Sequence, residues 1–320
     1  GGDVVDRNCP KGESAPGGPR DPRKAKRPGS LIVPAFRRTG LTVFATLKWV
    51  DYTASLRIPT DVNTNERTTP MQTRKAILLV IAFALTMACG AMAAQEPEKI
   101  HVLLIAGDDV APAHNWREIS ESTREVLVES GKFDVRVCET PTILESLSAL
   151  AAADVIVLTM FNRSLPTISD QAKENLLNFV KDGKGFYVQH LASASFKEWD
   201  AFGKLCGRKW VMGTSGHGPR SVIAAKIADK EHPVTQGLDD FQIDDELYAK
   251  LQGDTPIHVL VQADSDWSTA TEPLVFTVEY GKGRVIHNAF GHDAVAIKNP
   301  TNKKLICRSV EWVATGKVTE

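Results

Sequence analysis

The stretch Ile168–His190, ISDQAKENLLNFVKDGKGFYVQH, decides the fold. Ile168, Ala172, Leu176, Phe179 and Val180 recur at the three- and four-residue spacing of one helix face, and Gly183 supplies the stop. The apolar run GFYVQH (185–190) that follows is too short for a second helix and reads as a strand ending in a histidine. A helix handed directly to a strand with no polar alternation is the unit of a parallel sheet covered on both faces.

The same alternation extends in both directions. Upstream lie three apolar runs, KIHVLLIAG (99–107), FDVRVCE (133–139) and DVIVLTM (154–160), separated by helical patterns over Trp116–Ser130 and Ile143–Ala151. Downstream, SVIAAKIAD (221–229), PIHVLVQAD (256–264), PLVFTVEYG (273–281) and GRVIHNAFG (283–291) read as strands. Tyr280–Arg284 joins the last two as a tight hairpin, and a helix over Asn302–Thr315 closes the chain. The expectation is one α/β domain over 95–320, with a mostly parallel sheet and an antiparallel extension. Ligands of such sheets bind beyond the carboxyl ends of the strands, so the loops after Gly107 and after Gln189 should share the functional rim.

Composition narrows the function classes. The 320 residues carry a net charge of -1, with 42% hydrophobic and 24% charged residues. These are ordinary globular values that argue against a dedicated nucleic-acid binder and against a multi-span membrane protein. The charge is uneven: +5 over residues 1–70, +2 over 71–94 and -8 over 95–320, and all eight histidines lie in the last segment. Groups that titrate near neutral pH are therefore concentrated there.

Residues 71–94, MQTRKAILLVIAFALTMACGAMAA, have the layout of a secretory signal: a basic start, an apolar run over Ala76–Cys89, and an A-x-A site at Ala91–Ala93. Cleavage is expected after Ala93, giving an exported protein, periplasmic or secreted, with no stable membrane span. An uncleaved anchor is the alternative, and a lipoprotein reading through Cys89 meets Thr86 where Leu is usual. A signal peptide does not work from mid-chain, so Met71 is the expected start. Residues 1–70, rich in Pro, Gly and Arg, are expected to be disordered and outside the genuine product. The alternative for them is a basic arm for nucleic acid or anionic lipid. Beyond the signal, Cys138, Cys206 and Cys307 are too widely spaced for a metal or redox motif, and mostly buried free thiols are the simpler reading.

Candidate chemistry collects at strand ends. His114 precedes the first helix, beside Asn115 as a natural N-cap and after Asp109 in the same loop. His190 ends a buried strand, where desolvation favours a neutral imidazole that acts as base or ligand; a core histidine bonded to a carbonyl is the alternative. His217 is flanked by glycines, which permit close backbone approach or simply a turn. Asp244-Asp245-Glu246 is an acid/base or cation candidate, or else a solvated helix start. His292-Asp293 follows the last strand, where imidazole and carboxylate could act together. His101, His232, His258 and His287 read as structural. No H-E-x-x-H, GxSxG, P-loop or GxGxxG is present, so no nucleotide cofactor is indicated.

Taken in order, HVLLIAG, His114-Asn-Trp116, FVKDGKGFYVQHLAS, Trp199, GHGPR, KEHPVTQGL, DDELY, EYGKGRVIHNAFGHD and SVEWVATGKV resemble the ThuA-like (trehalose utilisation) family over nearly all of 99–318. The resemblance implies a class I glutamine amidotransferase-like, flavodoxin-like three-layer fold. His114, Trp116, His190, His217, Glu246, His292 and Asp293 are the positions that match the family pattern. Where amidotransferases carry a nucleophilic cysteine this chain has His190, and Cys206 lies 16 residues on, so a glutaminase is excluded. The resemblance implies carbohydrate catabolism, often of 3-keto sugars supplied by a partner sugar dehydrogenase. The expected activity is a hydrolase, lyase or isomerase acting on a keto-sugar or disaccharide. His190, Glu246, His292 and Asp293 are the expected catalytic groups, and His114, Trp116, Trp199 and His217 the expected substrate contacts. A divalent metal on His114, His190, His217 and His292 is a further expectation. A non-catalytic carbohydrate-binding or scaffold module is the rival reading.

Overall fold

The computed structural model describes residues 98–107, 113–163 and 167–319. The readings of residues 1–70 as disordered and of 71–94 as a signal with cleavage at Ala93 lie outside these residues, as does Asp109.

Nine strands form one sheet in the order β2-β1-β3-β4-β11-β10-β9-β6-β7. β1 (Ile100–Ile105), β2 (Phe133–Cys138), β3 (Val155–Leu158), β4 (Gly185–Gln189) and β11 (Gly283–Asn288) run parallel. β10 (Ala270–Tyr280), β9 (His258–Ser265), β6 (Ser221–Ile227) and β7 (Phe241–Asp245) continue the sheet in antiparallel pairing. A separate two-stranded ladder pairs β5 (Gly216–His217) with β8 (Tyr248–Ala249).

The parallel strands β1, β3, β4 and β11 are largely buried because both faces are covered, whereas the edge strand β2 leaves Asp134 and Arg136 exposed. Val102, Leu104, Val155, Val157, Tyr187 and Ile286 pack with Ile119, Val126 and Leu127 of α1 (Trp116–Glu129). Leu305, Ile306, Val310 and Val313 of α6 (Pro300–Thr315) complete that face. The intervening residues Leu103, Ile105, Ile156, Leu158, Phe186 and Val188 face the other way. They meet Leu150 of α2 (Leu147–Ala151), the stripe Ala172, Leu176, Phe179 and Val180 of α3 (Asp170–Lys181), and Phe202 and Leu205 of α4 (Asp200–Cys206). The period of two in each strand thus sorts residues into two cores, and the expected three-layer α/β fold results.

The helix read over Ile143–Ala151 is two pieces. A 3₁₀ turn spans Pro141–Glu145, and Ser146 then restarts the chain as the N-cap of α2, its Oγ accepting from Ala149 N at 3.3 Å. Strand β7, with Ile243 and Asp245 facing inward, was not legible, because a carboxylate at an inward position hides the alternation. The expected hairpin turns at Gly281 and Lys282. Gly281 has φ +63°, and a Cβ there would sit 2.6 Å from the Lys181 carbonyl oxygen, so only glycine fits. The three cysteines in the described residues are free. No helix among the described residues is long and apolar enough to cross a membrane.

Candidate functional site

Five segments from separate parts of the chain bring side chains together. His114 lies just before α1, whose first turn is capped by Asn115 accepting from Glu118 N. His190 follows β4 with φ 47° and opens a 3₁₀ turn, His190–Ala194. His217 ends β5, Glu246 follows β7, and His292 comes after β11 through Gly291. Gly291 has φ +121°, and a Cβ there would press within 2.9 Å of Gln189, so the turn carrying His292 depends on glycine.

Glu246 is the hub. Its Oε2 lies 3.1 Å from His292 Nδ1, 3.6 Å from His190 Nε2, 3.6 Å from His217 Nε2 and 3.9 Å from His114 Nε2. His292 Nδ1 and His114 Nε2 are 3.2 Å apart. Of these, His114, His190, Glu246 and His292 offer donor atoms that all lie within 4.8 Å of one another. His114 and His190 are buried, and Glu246 is largely so.

Hydrogen bonds on the far side of two rings fix their chemistry. His190 Nδ1 lies 2.7 Å from the Ala289 carbonyl oxygen, and His217 Nδ1 lies 2.6 Å from that of Gly218. A carbonyl only accepts, so each Nδ1 carries the proton, and a neutral ring presents the lone pair of Nε2 to the cluster. The carbonyl contact that would have marked a merely structural His190 is thus the contact that aims it. Glu246 Oε2 and His190 Nε2 are both buried without a hydrogen-bond partner.

Burial and mutual contacts shift the protonation of three of these groups. Burial, reinforced by the neighbouring His190 and His292, pushes His114 down to about 3, so it is neutral at pH 7. Burial alone would raise the Glu246 carboxyl, but the adjacent His190 and His292 outweigh it and hold Glu246 below the ordinary carboxylate range. The Glu246 carboxylate in turn raises His292 against the effect of its burial.

Three imidazole nitrogens and a carboxylate oxygen fit a divalent transition ion. Ligands 2.0–2.1 Å from a tetrahedral ion stand about 3.3 Å apart, close to several of the separations here. Imidazole donors favour zinc and its first-row neighbours over magnesium or calcium, which take oxygen ligands. The two partnerless buried atoms are the independent sign of fit, since a desolvated lone pair facing a desolvated anion is costly until a cation lies between them.

The other expected site residues have different surroundings. Asp293 caps the short helix α5 (Ala294–Ile297), accepting from Ala296 N, and pairs with Arg220, which also holds Asp244. It is not among the residues converging on Glu246. The Trp116 ring packs against the α1/α6 core, with the Arg117 guanidinium 4.1 Å from its centroid. Trp199 stacks on Phe202 at 5.7 Å and meets Phe196, half-buried against the core of the opposite face. Other aromatic rings near the cluster belong to residues that the sequence did not single out. Tyr248 stacks on His190 with centroids 3.9 Å apart, Trp210 lies 4.5 Å from Tyr248, and Trp267 packs against Gly216. Tyr248 stood in the DDELY motif and was within reach; nothing local marked Trp210 or Trp267.

A family model described as ThuA, trehalose utilisation, matches residues 101–313, which include every residue of the cluster. The chain belongs to the ThuA family. Among solved structures, a ThuA-like protein from Parabacteroides merdae is 28% identical, with a TM-score of 0.61 over 70% of this chain and 92% of that one. A ThuA-like protein from Bacteroides uniformis is 16% identical, with a TM-score of 0.57 over 71% of this chain and 98% of that one, and shares the fold. No curated protein matches. As a ThuA protein the chain carries the flavodoxin-like, amidotransferase-like sandwich, but His190 stands at the turn after β4. Cys206 is buried in the α3-side core, away from that turn's histidine cluster.

Proposed function

We propose that this ThuA protein is a carbohydrate-processing enzyme acting on keto-glycosides, with a divalent cation held by His114, His190, Glu246 and His292. The observation that carries the reading is the convergence of His190 Nε2 and Glu246 Oε2, both buried and both without a hydrogen-bond partner. When bound, the cation supplies Lewis-acid stabilisation of negative charge developing on a substrate oxygen.

The residues then divide the work. His190 and His114, deeply buried, serve as ligands. His217 is the most open of the four imidazoles, 34% exposed at its side chain, and its Nε2 lone pair is set by the Gly218 carbonyl. It is placed to take a proton from the carbon beside a ketone, the electron pair passing to the ketone oxygen as an enolate. The enolate re-forms the carbonyl by expelling the β-glycosidic oxygen, which takes the proton held by His217 and leaves as a hydroxyl. The products are an unsaturated keto-sugar and a free sugar. Trp267, 44% exposed, and the half-buried Trp210 offer ring faces to the apolar C–H side of a pyranose, while buried Tyr248 backs His190. Export of the protein, with cleavage after Ala93, and a sugar dehydrogenase as source of the ketone belong to the same reading.

Proton NMR of a 3-keto disaccharide in D₂O tests it. The expected result is protein-dependent loss of the proton beside the ketone or release of free sugar, abolished by a chelator and reduced about 10²–10⁴-fold by His217→Ala. Line broadening without chemical change would replace the enzyme with a carbohydrate-binding module.

A further inference from the structure

Asp245 is 0% exposed at the end of β7 and has no role in the chemistry above. Among the described residues no cationic side chain pairs with its carboxylate. Its oxygens are instead taken by three backbone amides. Oδ2 accepts from Gly291 N at 2.7 Å, while Oδ1 accepts from His292 N at 3.2 Å and from Glu246 N at 2.8 Å.

These three amides belong to the two segments that deliver the closest pair in the cluster, Glu246 and His292. The segments are far apart in sequence, and Asp245 hydrogen-bonds both. Gly291 has φ +121°, a conformation glycine adopts without strain, so local backbone preference does little to fix this turn. A buried carboxylate is retained only where several donors satisfy it, and here three backbone amides do.

We propose that Asp245 is the positioning residue of this site, its carboxylate fixing the Glu246 oxygen against the His292 nitrogen by holding the backbone of both. The inference rests on the metal reading for its functional consequence but not for its geometry. An asparagine at this position is nearly isosteric, yet presents an amide N–H to a backbone N–H that needs an acceptor.

The test uses Co²⁺ as probe, since its visible spectrum reports ligand geometry, together with amide exchange in the metal-free protein. Asp245→Asn is expected to bind Co²⁺ about 10–100-fold more weakly than wild type, with an altered spectrum. The Gly291 and His292 amides should also lose protection from exchange. Wild-type affinity, spectrum and protection in folded Asp245→Asn overturn the proposal. Absence of Co²⁺ binding by the wild type removes the metal reading alone, and the amide comparison then decides. Couplings across the hydrogen bonds from the Gly291 and Glu246 amides to the Asp245 carboxylate carbon need no variant. Their absence in the unaltered protein also overturns the proposal.

Discussion

Replacing Glu246 by glutamine alters the cluster least in shape and most in charge. The side chain keeps its length, but the oxygen around which four imidazoles gather loses its formal charge. Glu246→Gln is expected to weaken Zn²⁺ binding by at least about 100-fold in calorimetric titration, with the urea midpoint little changed. A histidine outside the cluster gives a pH signature set chiefly by burial. His287 is fully buried, and burial lowers it to about 4 from 6.5, against a contact with the Cys206 carbonyl. Above pH 6.5 the folded and unfolded states bind the same number of protons at this residue. Between 6.5 and about 4 only the unfolded state takes one, so stability falls as pH falls, by on the order of 3 kcal/mol in all. Urea denaturation over this range should show the loss, and His287→Phe should flatten it. At this scale the sequence pointed to His190 and His292 because they follow apolar runs, to His217 because it sits between glycines, and to Glu246 because it closes an acidic run. It did not expose Asp245 as an anchor, since a buried carboxylate and a solvated one look alike in a DDE run. Trp199 stood out by residue type and Trp116 also by the family pattern, and both are half-buried against the two cores.

Short elements set the positions of these residues. β5 is only two residues long and carries His217, with the Trp267 ring lying where a side chain at Gly216 would be. A Cβ on Gly216 would meet ring carbons at 2.5 and 2.6 Å. Gly216→Ala should therefore displace the strand or the indole, reducing turnover of a keto-glycoside by about 10²-fold while the melting temperature moves little. Asn299 caps α6 through the amides of Thr301 and Asn302, with Pro300 in the first turn. Asn299→Ala is expected to cost about 1 kcal/mol in chemical denaturation. Helices α1, α3 and α6 were legible to within a residue or two because an amphipathic stripe over three turns is a strong signal. The β5/β8 ladder was not, because two residues carry no period at all.

Across the molecule, the layers are tied by a buried polar contact. Asn288 on β11 donates to the Tyr187 hydroxyl on β4 at 2.9 Å and to Asn302 of α6 at 3.0 Å. Asn288→Ala would strand both partners in the core and is expected to lower stability by about 3 kcal/mol. The architecture itself was readable since the central parallel strands, buried on both faces, leave continuous apolar runs, and β6 of the antiparallel extension leaves an alternating one. The convergence of the cluster was not, because it depends on which strand lies beside which. That arrangement has a thermodynamic consequence. The donors span positions 114 to 292, and the unfolded chain holds no two of these four within a few residues of each other. An ion bound by all four recognises the native state alone, so its concentration enters the folding equilibrium as surely as temperature does. At a free Zn²⁺ level of 100 times the dissociation constant the linkage is worth about 2.7 kcal/mol. A chelator should then lower the melting temperature by roughly 5–10 °C, turning thermal denaturation into a gauge of free metal.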